Sequence, residues 1–465
     1  MTAKLNATAV LTISSPGVAV FDYPRPVQPG VVHLGLGAFH RAHQALVFDG
    51  LLQSGDPRWG VLGVAMRSTA VADTLKEQDG LYSVQLSSAG KTRCQIVGSI
   101  VQTCVAAREP EQVTAAIAAA STRWITLTVT EKGYTAELAG LLLKGLAQRR
   151  VEGHAGLTIA SCDNLSGNGD KLKALCLQAA GDEGLRRWIS DRCTFPNSMV
   201  DRIVPAATPA CSAAANAVLG VADEGALATE EFWEWVIEEN FADPEDAAVL
   251  RGAGVNVVAS VKPFEDAKLR MLNGSHSAIA CIGAVLGLPT VFDCVAQPEI
   301  RAFIHALMTE EIIPGIARPD APAYRDALLE RFANPALNHS VHQIATDSSK
   351  KIPQRWVPAA QSQLDCGGSV DRLALAAAAW MNYCRGEEEG GATFALNDPQ
   401  AANLQALATQ YKGNAAQTAG VMLDLPGIWG ESLSCDTRWR VRVKHGLSRI
   451  QALGLRGALA EINIV

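Results

Sequence analysis

A short apolar run that ends in two glycines restricts the fold of this chain more than any other stretch. Val31–Leu34 is predicted to be a buried strand, Gly35 and Gly37 follow at once, and residues 42–52 are predicted to form a helix. A strand, a glycine turn and a helix N-terminus can cradle a pyrophosphate, because the backbone comes close and free N–H groups face the anion. His40 occupies the third glycine position of G-x-G-x-x-G, so an ordinary tight turn fits the stretch equally well.

Strands and helices alternate after this turn. The predicted strands are 59–68, 124–130 and 157–164, and the predicted helices between them are 70–78, 107–120 and 136–152. This order predicts the α/β class, with a doubly wound Rossmann-like parallel sheet. Ligands of such sheets bind beyond the carboxyl ends of the strands, where the glycine turn, Glu131 and the pair Asp163–Asn164 are expected. The pair also fits a plain strand-end turn, and Asp201–Arg202 further along fits a surface ion pair.

Helical patterns dominate the second half of the chain. With 465 residues the chain is too long for one ordinary core. We predict a dinucleotide-binding Rossmann-like domain over residues 1–260 and a mostly α-helical substrate and catalytic domain over residues 261–465. We also predict a helix over residues 230–241, around Trp233 and Trp235.

The run KLRMLNGSH places a lysine, an asparagine and a histidine close together at Lys268, Asn273 and His276. A lysine in apolar surroundings has a lowered pKa and can exchange a proton near neutral pH. An asparagine amide can donate to an oxygen that gains negative charge, and a histidine can fix a hydroxyl. These groups suit oxidation of an alcohol or reduction of a ketone, in which the hydride is exchanged with a group other than these three.

Helix geometry complicates that interpretation. On an ideal α-helix Asn273 and His276 are neighbours, but Lys268 and Asn273 are roughly 140° apart around the axis. The three side chains converge only if the helix ends or bends, and we expect this at Gly274. A solvated lysine, a helix-start asparagine and a core histidine fit the same spacing.

Composition narrows the class of partner. The net charge is −7 and no run is rich enough in lysine and arginine to bind a phosphate backbone, so we expect no nucleic-acid partner. The eleven cysteines are scattered without a C-x-x-C pair, which favours reduced thiols in the cytoplasm. The first residues lack the pattern of a secretory signal, and the longest apolar segment, 278–292, is interrupted by Pro289. We expect a cytoplasmic protein with a small-molecule ligand and no membrane partner.

Five motifs occur in a fixed order, namely VHLGLGAFHRAHQ, LTVTEKGY, SCDN, FPNSMVDRIVPA and K-x4-N-x2-H. Together they resemble the mannitol dehydrogenase family, the long-chain polyol and sugar-acid dehydrogenases. The resemblance runs from about Val31 to the C-terminal helices. It implies a nucleotide-binding domain, a helical domain, a nicotinamide cofactor, no metal, and a monomer. We expect NAD, and NADP stays open because Arg67 lies where a carboxylate would bind the adenosine ribose.

The resemblance also implies roles for individual residues. Lys268 would be the general acid/base, with Glu265 relaying its proton to solvent. Asn164 and Asn273 would polarise the reacting oxygen, and His276 would position the substrate. The residues implied at the cofactor are Gly35, Gly37, Ala38, Phe39, Arg67, Glu131 and Asp163. Those implied at the substrate are Asp201, Arg270, Gln343 and Lys351.

Several segments resemble the fructuronate reductase branch of the family. They are KLRMLNGSHS, DRIVPAAT and NPALNHSVHQIATDSSKKIPQR. Mannitol 2-dehydrogenases typically have arginine in place of Gln343 and lack Arg270. A sugar acid carries a carboxylate, so an added base such as Arg270 or Arg355 makes chemical sense. The segment between Tyr134 and Ser161 is shorter than in typical members, which bears on the wall of the substrate cleft.

We therefore expect metal-independent interconversion of a keto sugar acid and its hydroxy acid, of the fructuronate and mannonate type. The alternative within the family is a polyol dehydrogenase for mannitol or arabinitol. Two further alternatives are a zinc-dependent alcohol dehydrogenase, with His40, His43 or the cysteines as ligands, and a nucleotide-binding protein without activity.

Overall fold

The computed structural model describes residues 3–88, 90–336 and 339–464. The chain forms two compact units, Met1–Val261 and Lys262–Val465. The strands, all in the first unit, are β1 (Val18–Ala19), β2 (Val31–Leu34), β3 (Val61–Ala65), β4 (Tyr82–Ser88), β5 (Lys91–Val97), β6 (Ile100–Val105), β7 (Trp124–Leu127), β8 (Thr158–Ser161), β9 (Ser198–Asp201), β10 (Leu227–Glu230), β11 (Glu234–Glu238) and β12 (Asn256–Val258). The helices of the first unit are α1 (Ala38–Arg41), α2 (Gln44–Gln53), α3 (Ala70–Glu77), α4 (Pro110–Ala118), α5 (Ala136–Val151), α6 (Asn168–Ala179), α7 (Glu183–Arg192), α8 (Pro209–Leu219) and α9 (Asp246–Gly252).

A five-stranded parallel sheet, in the order β6-β3-β2-β7-β8, forms the centre of the first unit. Successive residues of β2 point to opposite faces. Val31 packs in a core with Phe48 of α2, whereas Val32 packs in a second core with Ile117 and Leu142 of the helices on the other face. Because both faces are covered, β2, β7 and β8 are buried along their whole length. The predicted α/β class with a Rossmann-like sheet is confirmed.

Two smaller sheets complete the first unit, in the orders β1-β5-β4-β10 and β12-β11-β9. The helix predicted over residues 230–241 is wrong, because β10 ends at Glu230 and β11 occupies the centre of that range, Glu234–Glu238. Trp235 lies in β11, is fully buried, and is followed by Val236 and Ile237. Aromatic and β-branched residues fit a pleated, half-buried surface, and that preference outweighs the helix-like spacing of the charges.

The second unit is helical, which confirms the predicted C-terminal part. Its helices are α10 (Lys262–Ala267), α11 (Gly274–Val285), α12 (Val291–Val295), α13 (Pro298–Ala306), α14 (Ala321–Phe332), α15 (Val341–Ala345), α16 (Ser348–Arg355), α17 (Val357–Asp365), α18 (Asp371–Tyr383), α19 (Ala401–Gln410), α20 (Ala415–Leu423), α21 (Glu431–Cys435) and α22 (Thr437–Ile462). Two π-helices, Lys268–Asn273 and Leu307–Ile312, interrupt this pattern. Helix α18 is buried from its second residue onward and packs against α11 and α22.

Nowhere in the described ranges is a helix both long enough and apolar enough to cross a bilayer.

Candidate active site

The turn after β2 requires glycine at Gly35. Its φ angle is +107°, and a Cβ there would lie 2.8 Å from the carbonyl oxygen of Thr128. The N–H of Gly35 donates to Val64 O at 2.9 Å, which fixes the turn against β3. Gly37 differs, because its φ is −97° and a Cβ there would meet nothing closer than 3.7 Å. Gly37 caps α1, so the Ala38 and Phe39 N–H groups open a helix where they lack intrahelical acceptors, as a phosphate site requires.

His40 takes the place of the third glycine by stacking on His33. The two ring centroids are 3.3 Å apart and the ring planes differ by 10°. His33 Nδ1 lies 2.8 Å from Thr126 Oγ1, and its Nε2 lies 3.1 Å from Gly35 O. Since a carbonyl oxygen only accepts, Nε2 carries a proton. Burial lowers the pKa of His33 to about 3 and holds that of His40 well below its ordinary value.

A cleft of about 510 Å³ opens beyond the carboxyl ends of β3, β6 and β7. Arg67, Lys132 and Lys144 are among its lining residues, and Arg67 is an exposed side chain 3.2 Å from Glu137. Glu131 begins the 3₁₀-helix Glu131–Gly133, but its side chain lies outside the described part of the structure. A glycine turn beside a cleft at this sheet edge fits the pyrophosphate and adenosine of a dinucleotide.

Asp163 holds the turn that follows β8. Its Oδ2 accepts hydrogen bonds from Tyr134 Oη at 2.7 Å and Ser161 Oγ at 2.8 Å, and its Oδ1 accepts from the N–H of Leu165 at 2.9 Å. Burial and the nearby carboxylate of Asp163 raise the pKa of the Tyr134 hydroxyl, which therefore remains a donor at neutral pH. Asn164, the next residue, is exposed at the carboxyl end of the strand.

Asp201 and Arg202 are not a surface ion pair, because only 2% and 8% of these residues are exposed. Asp201 is the last residue of β9. The Arg202 guanidinium donates to the carbonyl oxygens of Ala42 at 2.7 Å and Glu230 at 2.7 Å. Arg202 thus joins the region after β2 to β10 and fixes the position of Asp201 beside it.

Lys268 and Asn273 are the first and last residues of a π-helix. In a π-helix the hydrogen bond joins residues i and i+5, so two residues five apart lie one above the other. We expected the helix to end or bend at Gly274, and it does not end there, because the torsion angles of Gly274 stay helical (φ −65°, ψ −47°) and α11 continues from it. His276 follows Asn273 by three residues and shares its face. A wide helical turn, and not a break, brings the three side chains to one side.

Glu265 on α10 precedes Lys268, the first residue of the π-helix, by three residues, and both residues are half-buried. His276 is buried, with its ring centroid 4.6 Å from that of Phe332 and 5.3 Å from that of His339. These contacts hold the His276 imidazole at the start of α11.

The predicted substrate residues of the second unit lie in different surroundings. Lys351 on α16 is half-buried and donates to Ile344 O at 3.0 Å, and burial lowers its pKa. Gln343 on α15 is exposed. Arg270 donates to Gly315 O at 3.2 Å and lies 3.7 Å from Asp266, so an acidic side chain already balances its charge.

Two residues at the junction of α16 and α17, Arg355 and Trp356, contact the end of the π-helix or the residue that follows it. Arg355 Nη1 donates to Asn273 O at 3.1 Å and to Ser277 Oγ at 2.7 Å. Trp356 Nε1 donates to Gly274 O at 3.0 Å. Both pairs that involve the helix carbonyls are 82 residues apart in the chain, so no local pattern could have revealed them.

Within the described ranges, no three His, Cys, Asp or Glu side chains are placed to hold a metal ion together. The histidines considered as zinc ligands have other contacts, since His40 stacks on His33 and His43 Nε2 lies 3.1 Å from Glu234 O.

Comparison with known proteins gives concordant similarities over the whole chain. The family model for the mannitol dehydrogenase Rossmann domain matches residues 29–247, and that for the mannitol dehydrogenase C-terminal domain matches residues 260–448. D-mannonate oxidoreductase of Escherichia coli K12 is 39% identical, over 95% of this chain and 97% of that protein. Mannitol 2-dehydrogenase of Phaeosphaeria nodorum is 34% identical, over 99% of this chain and 86% of that protein. The structure of Pseudomonas fluorescens mannitol 2-dehydrogenase with NAD and D-mannitol is 28% identical, covers 99% of both chains and has a TM-score of 0.82.

Proposed function

The chain belongs to the mannitol dehydrogenase family, and we propose that it interconverts a keto sugar acid and its hydroxy acid, of the fructuronate and mannonate type. At the coarser level it is a nicotinamide-dependent oxidoreductase of polyols or sugar acids. The similarity to D-mannonate oxidoreductase supports the sugar acid as the finer choice. NAD is the cofactor, since the similar mannitol 2-dehydrogenase binds NAD and the Rossmann-like unit has the glycine turn that a dinucleotide needs.

The π-helix register of Lys268 and Asn273 is the observation that carries the proposed chemistry. A bound nicotinamide cofactor supplies or accepts the hydride. Lys268 then gives a proton to the oxygen as the ketone becomes an alcohol, and takes it back in the reverse direction. The Asn273 amide donates a hydrogen bond to the same oxygen while negative charge grows on it. A proton donor and an amide donor on one side of a helix serve both needs.

The remaining roles follow the family resemblance. Glu265, one helical turn before Lys268, would pass the proton to solvent. His276 would position the substrate, and Lys351 and Asp201 at the end of β9 would line the substrate site. Asn164 would act as a second amide donor to the reacting oxygen. In the first unit, Gly35, Gly37, Ala38 and Phe39 would hold the pyrophosphate.

A substrate panel tests the proposal. Purified protein would be assayed with fructuronate, fructose, mannonate, mannitol and arabinitol, with NAD(H) and NADP(H), by following absorbance of the reduced cofactor. We expect kcat/KM to be highest for the fructuronate and mannonate pair with NAD(H). A higher value for fructose or a polyol would support the polyol dehydrogenase instead, which the similarity to mannitol 2-dehydrogenases favours.

The same panel, repeated after chelator treatment and combined with a cofactor-binding measurement, tests the zinc-dependent alcohol dehydrogenase and the nucleotide-binding protein without activity. Activity lost on exhaustive treatment with a chelator, and restored by zinc, would support a zinc-dependent enzyme. Cofactor binding without turnover of any of the five compounds would support a nucleotide-binding protein.

A further inference from the structure

Helix α16 carries two cations, Arg355 and Lys351, and Arg355 contacts the end of the π-helix. Arg355 donates through Nη1 to Asn273 O and Ser277 Oγ, and Lys351 donates through Nζ to Ile344 O. In the part of the chain that the structure describes, no carboxylate lies within ion-pair distance of either side chain, but Asp347 and Asp398 lie near enough to Lys351 to raise its pKa in part. The two residues are four apart on one helix and therefore lie on the same face.

Other arginines of this unit with little exposure do have acidic partners. Arg318, with 4% of its side chain exposed, lies 2.7 Å from Asp320. Arg372, with 9% exposed, lies 3.2 Å from Glu310. The missing counter-ion at Arg355 is therefore not a general property of cations in this helical unit.

Burying most of a cation without a counter-ion costs desolvation free energy, because the cation loses water without gaining an opposite charge. Burial lowers the pKa of Arg355 to about 10 and also lowers that of Lys351, to which Arg355 adds like-charge repulsion. Arg355 nevertheless stays charged at neutral pH. An anionic ligand would relieve this cost at Arg355 and would also reduce the repulsion between Arg355 and Lys351.

Arg355 also has N–H groups that are available to a ligand. Both of its hydrogen bonds use Nη1, and within the described ranges Nε and Nη2 donate to no protein atom. These two atoms form the edge of a guanidinium that binds a carboxylate through two parallel hydrogen bonds. Arg270 is a poorer candidate, since its charge faces Asp266.

We propose that Arg355, with Lys351 beside it, binds the carboxylate of the sugar acid and thereby selects sugar acids over uncharged ketoses. This inference rests on the proposed function. Arg355 touches the backbone of Asn273, whose side chain we assign to the reacting oxygen. A carboxylate four carbon–carbon bonds from the ketone lies roughly 5 Å away from it, which is within reach of a neighbouring side chain.

The test compares Arg355→Gln, Arg355→Lys and wild type with fructuronate and fructose at saturating NADH. We expect Arg355→Gln to lower kcat/KM for fructuronate roughly 10- to 100-fold more than it lowers that for fructose, and to do so mostly through KM. The loss with fructose reports the contacts of Arg355 with Asn273 and Ser277, which both substrates share. Arg355→Lys keeps the charge but cannot form the bidentate hydrogen bonds, so its loss in kcat/KM for fructuronate should be intermediate. The matched control is Arg325→Gln, since Arg325 is little exposed, lies in the same unit and has Asp326 at 2.7 Å. It should keep the wild-type ratio of the two substrates.

Binding provides a readout without turnover. The affinity of mannonate for the NAD complex, measured by calorimetry, should fall in the order wild type, Arg355→Lys, Arg355→Gln. Equal losses with fructuronate and fructose would overturn the inference and make Arg355 a positioning residue that acts through Asn273. An unchanged ratio with unchanged mannonate affinity would overturn it as well. Wild-type protein that reduces fructose but not fructuronate would refute the proposed function itself, which is a different result.

Discussion

The indole Nε1–H of Trp356 donates to the carbonyl oxygen of Gly274 at 3.0 Å, at the point where the π-helix gives way to α11. Trp356 is fully buried, so its ring cannot shift without disturbing its neighbours. A π-turn is rare and persists where its surroundings support it. We interpret this hydrogen bond as one of the contacts that keep Lys268 and Asn273 in register.

Trp356→Phe should lower kcat roughly tenfold, because it removes the donor but keeps an aromatic ring, and small displacements of catalytic groups are costly. Trp429→Phe is the matched control, since buried Trp429 donates its Nε1–H to Met422 O, also at 3.0 Å. Both variants should lose about 1 kcal/mol of unfolding free energy, as expected for one hydrogen bond. Steady-state kinetics and thermal melting check this, and an equal kcat in the two variants would contradict the proposed support of the π-turn.

Lys268→Ala should lose about 10²–10⁴-fold in kcat, the usual worth of general acid/base catalysis, while NADH still binds. Added methylamine should restore part of the rate if the missing group is a proton carrier. Lys412→Ala removes an exposed lysine paired with Glu387 and should behave as wild type. Fluorescence titration with NADH and initial rates with and without the amine measure these effects. Full turnover in Lys268→Ala would refute the proposed mechanism.

The two glycines after β2 should respond differently to alanine. Gly35→Ala should lower the free energy of unfolding by about 1–3 kcal/mol or more, because φ is positive and the Cβ meets Thr128 O. Gly37→Ala has room for the Cβ and should keep the melting temperature but weaken NADH binding, because the methyl group enters the space of the phosphate. Gly420 lies on α20, where a Cβ would meet nothing within 4 Å, so Gly420→Ala should raise the free energy of unfolding by about 0.5–1 kcal/mol. It serves as a control in which the expected change in stability has the opposite sign. Unaltered NADH affinity in Gly37→Ala would argue against the pyrophosphate site.

Glu311 should make stability depend on pH. The residue is 1% exposed, and its carboxylate accepts hydrogen bonds from the N–H groups of Arg372 at 2.8 Å and Leu373 at 2.7 Å, at the start of α18. Burial outweighs these donors and raises the pKa of Glu311 from 4.5 to about 7. Between these two values the folded protein keeps a proton that the unfolded chain has lost, so rising pH favours unfolding.

Glu311→Gln stays neutral and should not show this dependence. The unfolding free energy of wild type minus that of Glu311→Gln should therefore be largest below pH 4.5. It should fall by on the order of 3 kcal/mol as the pH rises to about 7. Denaturant unfolding at a series of pH values measures the difference. Parallel curves for the two proteins would show that Glu311 ionises alike in the folded and unfolded states.

The sequence by itself determined the strand–glycine–helix start, the parallel sheet, the helical second half and the family. Strand and turn signals are local, because they depend on the alternation of apolar residues and on torsion angles that only glycine adopts readily. Five motifs in a fixed order then restricted the chain to one family. The helix predicted around Trp233 and Trp235 was wrong. The charges of that segment have helical spacing, whereas its burial depends on the pairing of β11 with β9 and β12.

Only the tertiary structure decided how the proposed catalytic residues are arranged. On an α-helix the spacing of Lys268 and Asn273 would put the two residues on different sides, whereas the π-turn brings them to one side. Arg355 and Trp356 contact the end of this turn from positions 82 residues further along the chain. At the position of the third glycine, His40 stacks on His33 of β2, a contact that the glycine spacing does not indicate. Such features depend on which distant groups pack against a helix or strand, and a periodic pattern along the chain carries no record of them.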